Sequence, residues 1–597
     1  MKEVASFTKY INQYFYLALY SRIESYHARK EQTEMKGMTI KAVHVEAGDE
    51  MPLRFEVIAV ALFQELRTSY ECWFQVMCEG DLEKQLSDFR VLSIQEYTGQ
   101  SKILNPLSDA LVPYIRKSQL DELARILIKR YYPSGLWENR VIDPIKLVKK
   151  QGLNCEFKKL SKDGSILGET VFVSSQVPIY DENSGKYFEE EIQGGTILID
   201  PSHYLYRNVG SMNNTIIHEC IHWMLHRKAF MLEQLFNSKA LPLRNTLTLE
   251  NQTSIDWMEW QAKALAPRIQ MPVIHFQKKV AELRKVYRYL NSRQANLIDE
   301  MEYVIDGLEN FYHVSRAAAK IRLLNIGIEE ARGIYKYVEG KYAQSYVFKE
   351  GSLSPNQTFS IRLQDAIAQS QNNLELKAKL ERGNYLFVDA HFCLNMPKYL
   401  TTNPFGKTEL TRYARLHMEE CCLIFDLVVR DQEKEAAYFD EVLYRDANSD
   451  IHFEAHFSNG EKVKEAILIR KRVIELQQLV LSLPGSFSGT VEGIIQWSEL
   501  KIDKIAEKTL LTERTLYRMR TDEDYNCTLE SILQLCIGLH LPPEISGLLI
   551  SRSTKRLGNS ELHFLYRFLL TCCYTFSIYE CNDILVAQDF KRLGKEI

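Results

Sequence analysis

Apolar and polar positions along the first hundred residues follow two different periods. Residues 1–30 ("MKEVASFTKYINQYFYLALYSRIESYHARK") show the pattern of an amphipathic helix, without the continuous apolar core or cleavage site of a signal peptide. Three later stretches, "TIKAVHVEA", "LRFEVIAVAL" and "DFRVLSIQEY", are rich in the β-branched and aromatic residues typical of strands. We therefore predict an accessory α+β region over residues 1–100.

From residue 118 the apolar positions take on helical spacing. In "SQLDELARILIKRYYP" the residues Leu120, Leu123, Ile126 and Leu127 recur at the intervals of one helix face. The strand-like stretches "CEFKKLS", "ILGETVFVSS" and "GGTILIDPS" follow, and a long helical stretch runs from 275 to about 345. A small sheet followed by helices predicts an α+β domain over residues 118–347.

Two segments rich in Gly, Ser, Pro and Asn divide the remainder of the chain, "FKEGSLSPNQTFS" and "LSLPGSFSGT". Between them, "GNYLFVDAHFCLNMPKYL", "IFDLVVR" and "DIHFEAHFS" have the composition of strands. This predicts an α+β region of unknown role over residues 350–480. Beyond it the periodicity is helical throughout, which predicts an all-α domain over residues 491–597.

Composition places the chain among ordinary globular proteins. Of its 597 residues, 45% are hydrophobic and 25% are charged, and the formal net charge is -4. That charge excludes a molecule that binds polyanions over its whole surface, so nucleic-acid contact would require a local basic face. The twelve cysteines contain no C-x-x-C pair, and we expect buried thiols in a reducing, cytoplasmic compartment. No apolar run approaches the roughly 18 residues that span a bilayer, so no membrane contact is expected.

The stretch "TIIHECIHWMLH" carries the first candidate chemistry. On an α-helix, His218 and His222 lie on one face and can present two imidazole nitrogens to one ion. Glu219 lies about 100° around the helix, where it can reach a metal-bound water rather than the metal. This is the arrangement of H-E-x-x-H metalloproteases, in which zinc acidifies the water and the glutamate takes its proton. We predict zinc ligands at His218 and His222 and a catalytic Glu219.

A catalytic zinc site needs a third protein ligand. The metzincin solution is excluded, because Leu225 and Lys228 occupy the positions of its glycine and third histidine. The downstream candidates are four carboxylates, Glu233, Glu250, Asp256 and Glu259. His226 also lies on the ligand face, but we expect it to pack beside the ligands rather than bind the metal.

Glu259 is the best of these candidates. On a helix over residues 254–266 it shares a stripe with Ile255, Ala262 and Ala266, where a carboxylate is unfavourable unless it is paired or bound to a metal. Asp256 would lie in the first turn, where the helix dipole already favours an acid. Glu259 is therefore the predicted third ligand.

Two stretches together resemble the ImmA/IrrE family of zinc metallo-endopeptidases. They are "IIHECIHWMLH" and "EWQAKALAPRIQMP", the second of which is similar to the family pattern E-x-E-A-N-x-F-A-x-x-L-L-M-P. Aligning Met271 and Pro272 with the end of that pattern puts Glu259 at its leading glutamate, the family's third zinc ligand. "TILID" and "FYHVSRAAAKIRLLNIGI" also look like that family, and the resemblance covers roughly residues 118–335.

The resemblance implies a zincin-like metalloprotease domain with a helical extension, and regulated proteolysis of a repressor-like protein in a mobile-element or stress-response setting. The sequence departs from the family pattern at Gln261, Lys263 and Pro267, none of which is a ligand position. Zincins commonly hold substrate as an added strand on a sheet edge, and we predict that "GGTILIDPS" is that edge.

The segment 502–550 resembles a lambda-repressor or XRE-type helix-turn-helix. Thr512 is a natural N-cap for "ERTLYRMR", the predicted recognition helix, in which Leu516 and Met519 face inward. The predicted DNA-contacting residues are Thr512, Arg514, Thr515 and Arg518. Residues 501–520 carry a net charge of +3, although four acids follow them, and a helical bundle with a solvated face remains the alternative.

These patterns predict a zinc-dependent metallo-endopeptidase that cleaves a regulatory protein and binds DNA through its C-terminal helices. Two-fold operators would favour a homodimer. The alternative is a DNA-binding transcriptional regulator whose zinc domain is a non-catalytic sensor or scaffold. A third hypothesis is a toxin–antitoxin or defence component whose middle region binds a partner.

Overall fold

A computed structural model of the chain describes residues 6–29, 33–48, 51–65, 68–137, 140–201, 209–236, 252–338, 341–354, 356–381, 383–429, 453–458, 480 and 483–594. It is mixed α+β, with 48% helix and 20% strand, as the alternating periods of the sequence predicted. The chain forms two compact units. The N-terminal unit holds residues 1–286 and 304–322, and the C-terminal unit holds 287–303 and 323–597.

The N-terminal unit begins with one helix and a four-stranded antiparallel meander. These elements are α1 (Phe7–His27), β1 (Glu34–Val45), β2 (Pro52–Glu65), β3 (Thr68–Asp81) and β4 (Arg90–Glu96). The helix and three of the strands were predicted, whereas β3 was missed because charged and amide side chains interrupt its apolar residues. Phe7 of α1 packs edge-on against Phe55 of β2, so helix and sheet share one core.

A second, smaller sheet lies further along the N-terminal unit. It has the strand order β5 (Asn154–Phe157), β9 (Thr196–Ile199) and β6 (Gly168–Val171), and the hairpin β7 (Ser175–Asp181) and β8 (Lys186–Ile192) comes between β6 and β9 in the chain. The prediction that "GGTILIDPS" forms a sheet edge is therefore wrong. The strand of "GGTILIDPS", β9, pairs with β5 on one side and β6 on the other. All four of its side chains are buried, and such a continuous apolar run is typical of a central strand.

Several helical elements complete this region of the N-terminal unit. They are α2 (Leu120–Tyr131), α3 (Pro144–Lys150), α4 (Val209–Ile221), a π-helical turn (His222–His226), α5 (Arg227–Phe236) and α6 (Gln252–Gln270). The buried face of α4, with Ile216, Ile217 and Ile221, belongs to the same core as Leu265 and Ala266 of α6. This packing fixes α4 and α6 against each other.

Three further helices each contribute residues to both units, α7 (Val273–Leu290), α8 (Leu297–Tyr312) and α9 (Arg316–Asn325). The prediction of a single helical stretch over 275–345 is therefore wrong, because three separate helices occupy most of that range. A polar turn over 291–296 ends α7, and His313 adopts a left-handed backbone with φ 51° after α8. The short strands β10 (Tyr337–Val338) and β11 (Lys341–Tyr342) then form a hairpin where helix was expected.

The C-terminal unit combines small sheets with many helices. Its remaining strands are β12 (Gln357–Thr358), β13 (Tyr385–Val388), β14 (His391–Leu394), β15 (Leu400–Thr402), β16 (Thr408–Leu410), β17 (Phe425–Val429) and β18 (Phe453–Phe457). β17 lies between β12 and β18, whereas β13–β14 and β15–β16 are hairpins. The middle helices are α10 (Leu363–Asn372), α11 (Leu374–Leu380), α12 (Arg412–Leu416) and α13 (Met418–Cys421).

Helices alone make up the regular structure over residues 483–594, as predicted. They are α14 (Phe487–Trp497), α15 (Ile502–Thr509), α16 (Glu513–Thr521), α17 (Leu529–Gly538), α18 (Pro543–Arg552), α19 (Glu561–Cys572) and α20 (Ile578–Ala587). One continuous core joins these helices to the strands, from Phe392 on β14 to Phe568 on α19. Within the described ranges, no helix is both long enough and apolar enough to cross a membrane.

Candidate metal centre

The two histidines of the H-E-x-x-H stretch converge on one point. His218 lies in the last turn of α4 and His222 begins the π-helical turn, so their Nε2 atoms lie 3.0 Å apart. The imidazole of His222 is almost fully buried and that of His218 is 14% exposed. A π-turn inserted in a helix is frequently found at a functional site. The two imidazoles therefore lie side by side, with His222 buried and His218 partly exposed to solvent.

Glu259 completes the group from α6. One carboxylate oxygen lies 3.2 Å from His222 Nε2 and the other lies 3.4 Å from His218 Nε2. Its side chain is 35% exposed, which makes it the most open of the three. The structure thus brings together the three residues that were predicted as ligands, in a group of the size that holds one metal ion.

The spacing of the three ligand atoms fits zinc. Two atoms that each lie about 2.0–2.1 Å from a zinc ion are roughly 3.3 Å apart at the tetrahedral angle. The observed separations, from 3.0 to 3.4 Å, bracket that value. Two imidazoles and one carboxylate are also among the donor sets of catalytic zinc sites, which keep a fourth position open.

Electrostatics also suit a cation at this point. Burial alone would raise the pKa of Glu259, but hydrogen-bond contact with His218 and His222 outweighs it and holds that pKa well below its usual range. Glu259 is consequently an anion at neutral pH. It supplies the negative charge that a divalent ion bound by two neutral imidazoles requires.

Behind His222, a chain of hydrogen bonds fixes its tautomer. The Gln261 amide nitrogen donates to the Pro113 carbonyl at 2.7 Å, so the Gln261 carbonyl oxygen faces His226 Nε2 at 2.9 Å and must accept from it. Burial lowers the pKa of His226 to about 3, so its ring is neutral and its Nδ1 carries a lone pair. That Nδ1 lies 3.0 Å from His222 Nδ1, which must be the donor.

This tautomer determines what the other ring nitrogen of His222, Nε2, presents to its neighbours. With its proton on Nδ1, a neutral His222 presents a lone pair at Nε2, toward His218 and Glu259. Ligating histidines usually donate their second N–H in this way, and the donation fixes the orientation of the ring. His226 therefore lies behind His222 and is not one of the three converging residues. Gln261, noted from sequence only as a departure from a family pattern, is one of the residues that sequence reasoning missed.

Glu219 stands beside the three ligands and not among them. Its carboxylate accepts a hydrogen bond from the Thr170 hydroxyl at 2.8 Å, and Thr170 belongs to β6. Burial raises the pKa of Glu219 to about 7, even though His222 and Thr170 both act to lower it. A carboxylate whose pKa lies near neutrality can both take and return a proton. The backbone approaches closely here, since a Cβ on Gly168 would lie 2.8 Å from the Thr215 methyl group.

The other candidate ligands lie elsewhere. Glu233 belongs to α5 and Asp256 is exposed in α6, and neither joins the converging group. Glu250 lies outside the described residues. Thr170 could not have been singled out from sequence, because nothing in "GETVFV" distinguishes it from other strand threonines.

The predicted DNA-contacting residues lie at the start of α16 and along it. Thr512 caps this helix by accepting from the Thr515 amide at 3.1 Å, and Leu516 and Met519 are fully buried, both as predicted. Arg514 is exposed, and the guanidinium of Arg518 lies over the Tyr525 ring at 4.1 Å and near Asp522. The four predicted positions are thus the N-cap and three residues of one short helix with a buried apolar face.

Comparison with known proteins adds no relative. No protein-family model matches the chain, and neither a curated protein nor a solved structure matches it. The convergent ligands and the exposed arginines are therefore the observations from which a function can be proposed.

Proposed function

We propose that the chain is a zinc-dependent metallo-endopeptidase with a zincin-like domain in its N-terminal unit. One observation carries the proposal: His218, His222 and Glu259 converge at zinc spacing while Glu219, a carboxylate with a pKa near neutrality, stands next to them. The resemblance to ImmA/IrrE endopeptidases supports the same reaction and extends it to a repressor-like protein as substrate.

The roles of the residues follow from their positions. A bound zinc ion would supply Lewis-acid polarisation of a peptide carbonyl and would acidify the attacking water. His218, His222 and Glu259 would hold that ion. Glu219 acts as general base and later returns the proton, while Thr170 fixes Oε2 and leaves Oε1 for proton transfer.

Substrate would bind along β6 rather than β9. Among the described strands β6 ends the small sheet on one side, with β9 as its one partner there, and it carries both Thr170 and Gly168 to Glu219. A peptide added as a further strand beside β6 would run past the general base, which is a common way for a sheet edge to hold a peptide. β6 therefore replaces β9 as the proposed substrate-binding edge, because β9 lies in the centre of the sheet.

Two readouts on purified protein test this proposal. Metal content per chain should fall by one equivalent of zinc in both His222→Ala and Glu259→Ala relative to wild type. Glu219→Gln should keep that zinc and lose cleavage of a peptide library, whereas the matched control Glu233→Gln should keep both. Unchanged zinc content in the two ligand variants, or normal cleavage by Glu219→Gln, would contradict the proposal.

We further propose that α15 to α17 form a helix-turn-helix that binds DNA, because α16 exposes Arg514 and Arg518 beyond its cap at Thr512. The paired variant Arg514→Ala/Arg518→Ala should weaken binding to duplex DNA. It should also reduce the slope of log affinity against log salt by about 0.9 for each phosphate that the variant no longer neutralises. Arg125→Ala, which removes a positive charge from the N-terminal unit, is the control.

Both the endopeptidase and the alternative of a transcriptional regulator with a non-catalytic zinc domain include DNA binding, so the Glu219→Gln variant is what separates them. Under the alternative, Glu219→Gln changes nothing, since no cleavage exists to be lost. Binding to DNA without salt dependence, or no binding by wild type, would contradict the helix-turn-helix proposal and leave the endopeptidase proposal standing.

A further inference from the structure

The core of the C-terminal unit contains a cluster of sulfur atoms. The cluster consists of Cys393, Cys421, Cys422 and Met418. The three cysteine sulfurs all lie within 4.8 Å of one another, and Cys421 Sγ lies 3.8 Å from Cys422 Sγ. Met418 Sδ lies 3.9 Å from Cys422 Sγ. Three sulfur atoms from residues 418–422 and one from the distant Cys393 thus meet in one small volume.

The fold builds this cluster from a strand and the end of a helix. Cys393 lies on β14, and Cys421 is the last residue of α13. Cys422 leaves the helix in an extended conformation and pairs with Cys393 through an isolated β-bridge. The change from helical to extended backbone between neighbouring residues lets both vicinal sulfurs point to the same place.

The cluster is closed to solvent. Cys393, Cys421 and Cys422 are fully buried, as is Met418. None of the twelve cysteines of the chain, all of which are described, forms a disulfide. Burial raises the pKa of the Cys422 thiol above its ordinary value, so a thiolate here would require a cation beside it.

A histidine lies on the same strand as Cys393. His391 is two residues before Cys393 on β14, so the two side chains leave the same face of the strand. The His391 ring is fully buried, contacts the Tyr346 ring edge-on and interacts with Asp389. His391 does not join the three cysteine sulfurs in a group of ligand size, so it is a neighbour of the cluster and not one of its candidate ligands.

We propose that Cys393, Cys421 and Cys422 bind one thiophilic metal ion, Zn²⁺ or Cu⁺, and that Met418 adds a fourth ligand to Cu⁺. Thiolate and thioether ligands select these two ions. A metal site that is closed to solvent is structural rather than catalytic. The ion would fasten β14 to the end of α13.

A second pair of adjacent cysteines shows that burial alone is not evidence of a metal site. Cys572 and Cys573 are also fully buried in the C-terminal unit. Within the described residues, no third metal-binding side chain joins them in a group of ligand size. Small apolar thiols in a core need no further explanation, and Cys572 and Cys573 therefore provide a matched control.

The test measures metal content of the full chain in a His222→Ala background, which removes the contribution of the first site. Purified protein is loaded separately with Zn²⁺ and, without oxygen, with Cu⁺. One equivalent should bind, disappear in Cys421→Ala/Cys422→Ala and persist in Cys572→Ala/Cys573→Ala. Equal metal content in both double variants, or no bound equivalent in either arm, would overturn the proposal.

Cobalt in the unmutated chain provides a readout that does not depend on the folding of variants. Of the two sites, only the sulfur cluster can give thiolate-to-cobalt charge-transfer absorption, since His218, His222 and Glu259 contain no sulfur. That absorption should appear as Co²⁺ is added and vanish when Zn²⁺ displaces it. Cobalt bound without this absorption, or a disulfide among the three cysteines in protein isolated under reducing conditions, would overturn the proposed site.

Discussion

The two candidate metal sites differ in how they meet solvent. At the metal centre of the N-terminal unit, the Glu259 side chain is 35% exposed and His218 is 14% exposed. In the sulfur cluster of the C-terminal unit, Cys393, Cys421 and Cys422 are all at 0%. Catalytic zinc sites keep a position open for water and substrate, whereas structural sites close around the ion. The difference in exposure thus favours a catalytic role for the first candidate site and a structural role for the second.

The two sites also differ in what stands beside the ligands. The open centre has Glu219 next to it, a group able to move a proton, and the chain of His226 and Gln261 behind it. Beside the closed cluster lie the Met418 thioether and the buried imidazole of His391, whose pKa burial lowers. Neither of these two groups has the near-neutral pKa that Glu219 has beside the open centre. This contrast can be tested one residue at a time.

The largest expected effect concerns the proton acceptor of the open centre. Glu219→Gln removes the acceptor and keeps the volume, so peptide cleavage should fall by about 10²–10⁴-fold while zinc content stays unchanged. Steady-state cleavage of a peptide substrate, with metal analysis of the same sample, measures both. Zinc loss in this variant would mean that Glu219 is a ligand, and the distinction between ligand and base at this centre would fail.

The next effect concerns the residues behind His222. Gln261→Leu leaves His226 Nε2 and the Pro113 carbonyl without their partner, so the orientation and tautomer of His222 are no longer fixed. Zinc affinity should fall by about 10–100-fold, as for other residues that orient a ligand. Competition with a fluorescent zinc chelator measures it.

Gln270→Leu is the matched control for that experiment, since Gln270 is also a buried glutamine of α6 but lies at its far end. It should leave zinc affinity unchanged, even if the free energy of unfolding changes. Equal losses of affinity in the two variants would show that Gln261 acts only through the stability of the helix.

A smaller effect tests the close approach of β6 to Glu219. A Cβ on Gly168 would lie 2.8 Å from Thr215 Cγ2 and 3.1 Å from the Glu219 carboxylate. Gly168→Ala should therefore lower the free energy of unfolding by about 1–3 kcal/mol and reduce cleavage. Urea unfolding measures the first quantity. Gly37→Ala on β1, where an added Cβ meets nothing within 4 Å, should change neither stability by that amount nor cleavage.

The open centre was accessible to sequence reasoning because its ligands follow helical periods. His218 and His222 are four residues apart, and Glu259 could be placed by the apolar stripe of its own helix. The support behind them could not be predicted, since Pro113 precedes His226 by more than a hundred residues and only the fold brings Gln261 between them. Likewise, the continuous apolar run of β9 is typical of a central strand, but we predicted a sheet edge there.

The closed cluster shows the limit of sequence patterns more sharply. Cys421–Cys422 and Cys572–Cys573 are the same two letters in the sequence, and both pairs are buried. Only the pairing of Cys422 with Cys393 on a distant strand distinguishes them. No period links Cys393 on its strand to Cys421 at the end of a helix 28 positions later, so the ligand set emerges only from the tertiary structure.

The smallest expected effect concerns the role of Met418 within the closed cluster. Met418→Leu nearly conserves volume, so it should change the free energy of unfolding by less than about 1.5 kcal/mol. Because the Met418 thioether is the proposed fourth ligand of Cu⁺ alone, zinc retention in a His222→Ala background should be unchanged and Cu⁺ affinity should fall. His391→Ala should leave both ions bound, since His391 does not belong to the group of converging ligand atoms. Should Met418→Leu weaken both ions equally, the thioether would belong to a single shell shared by both metals, and its assignment to Cu⁺ alone would be wrong.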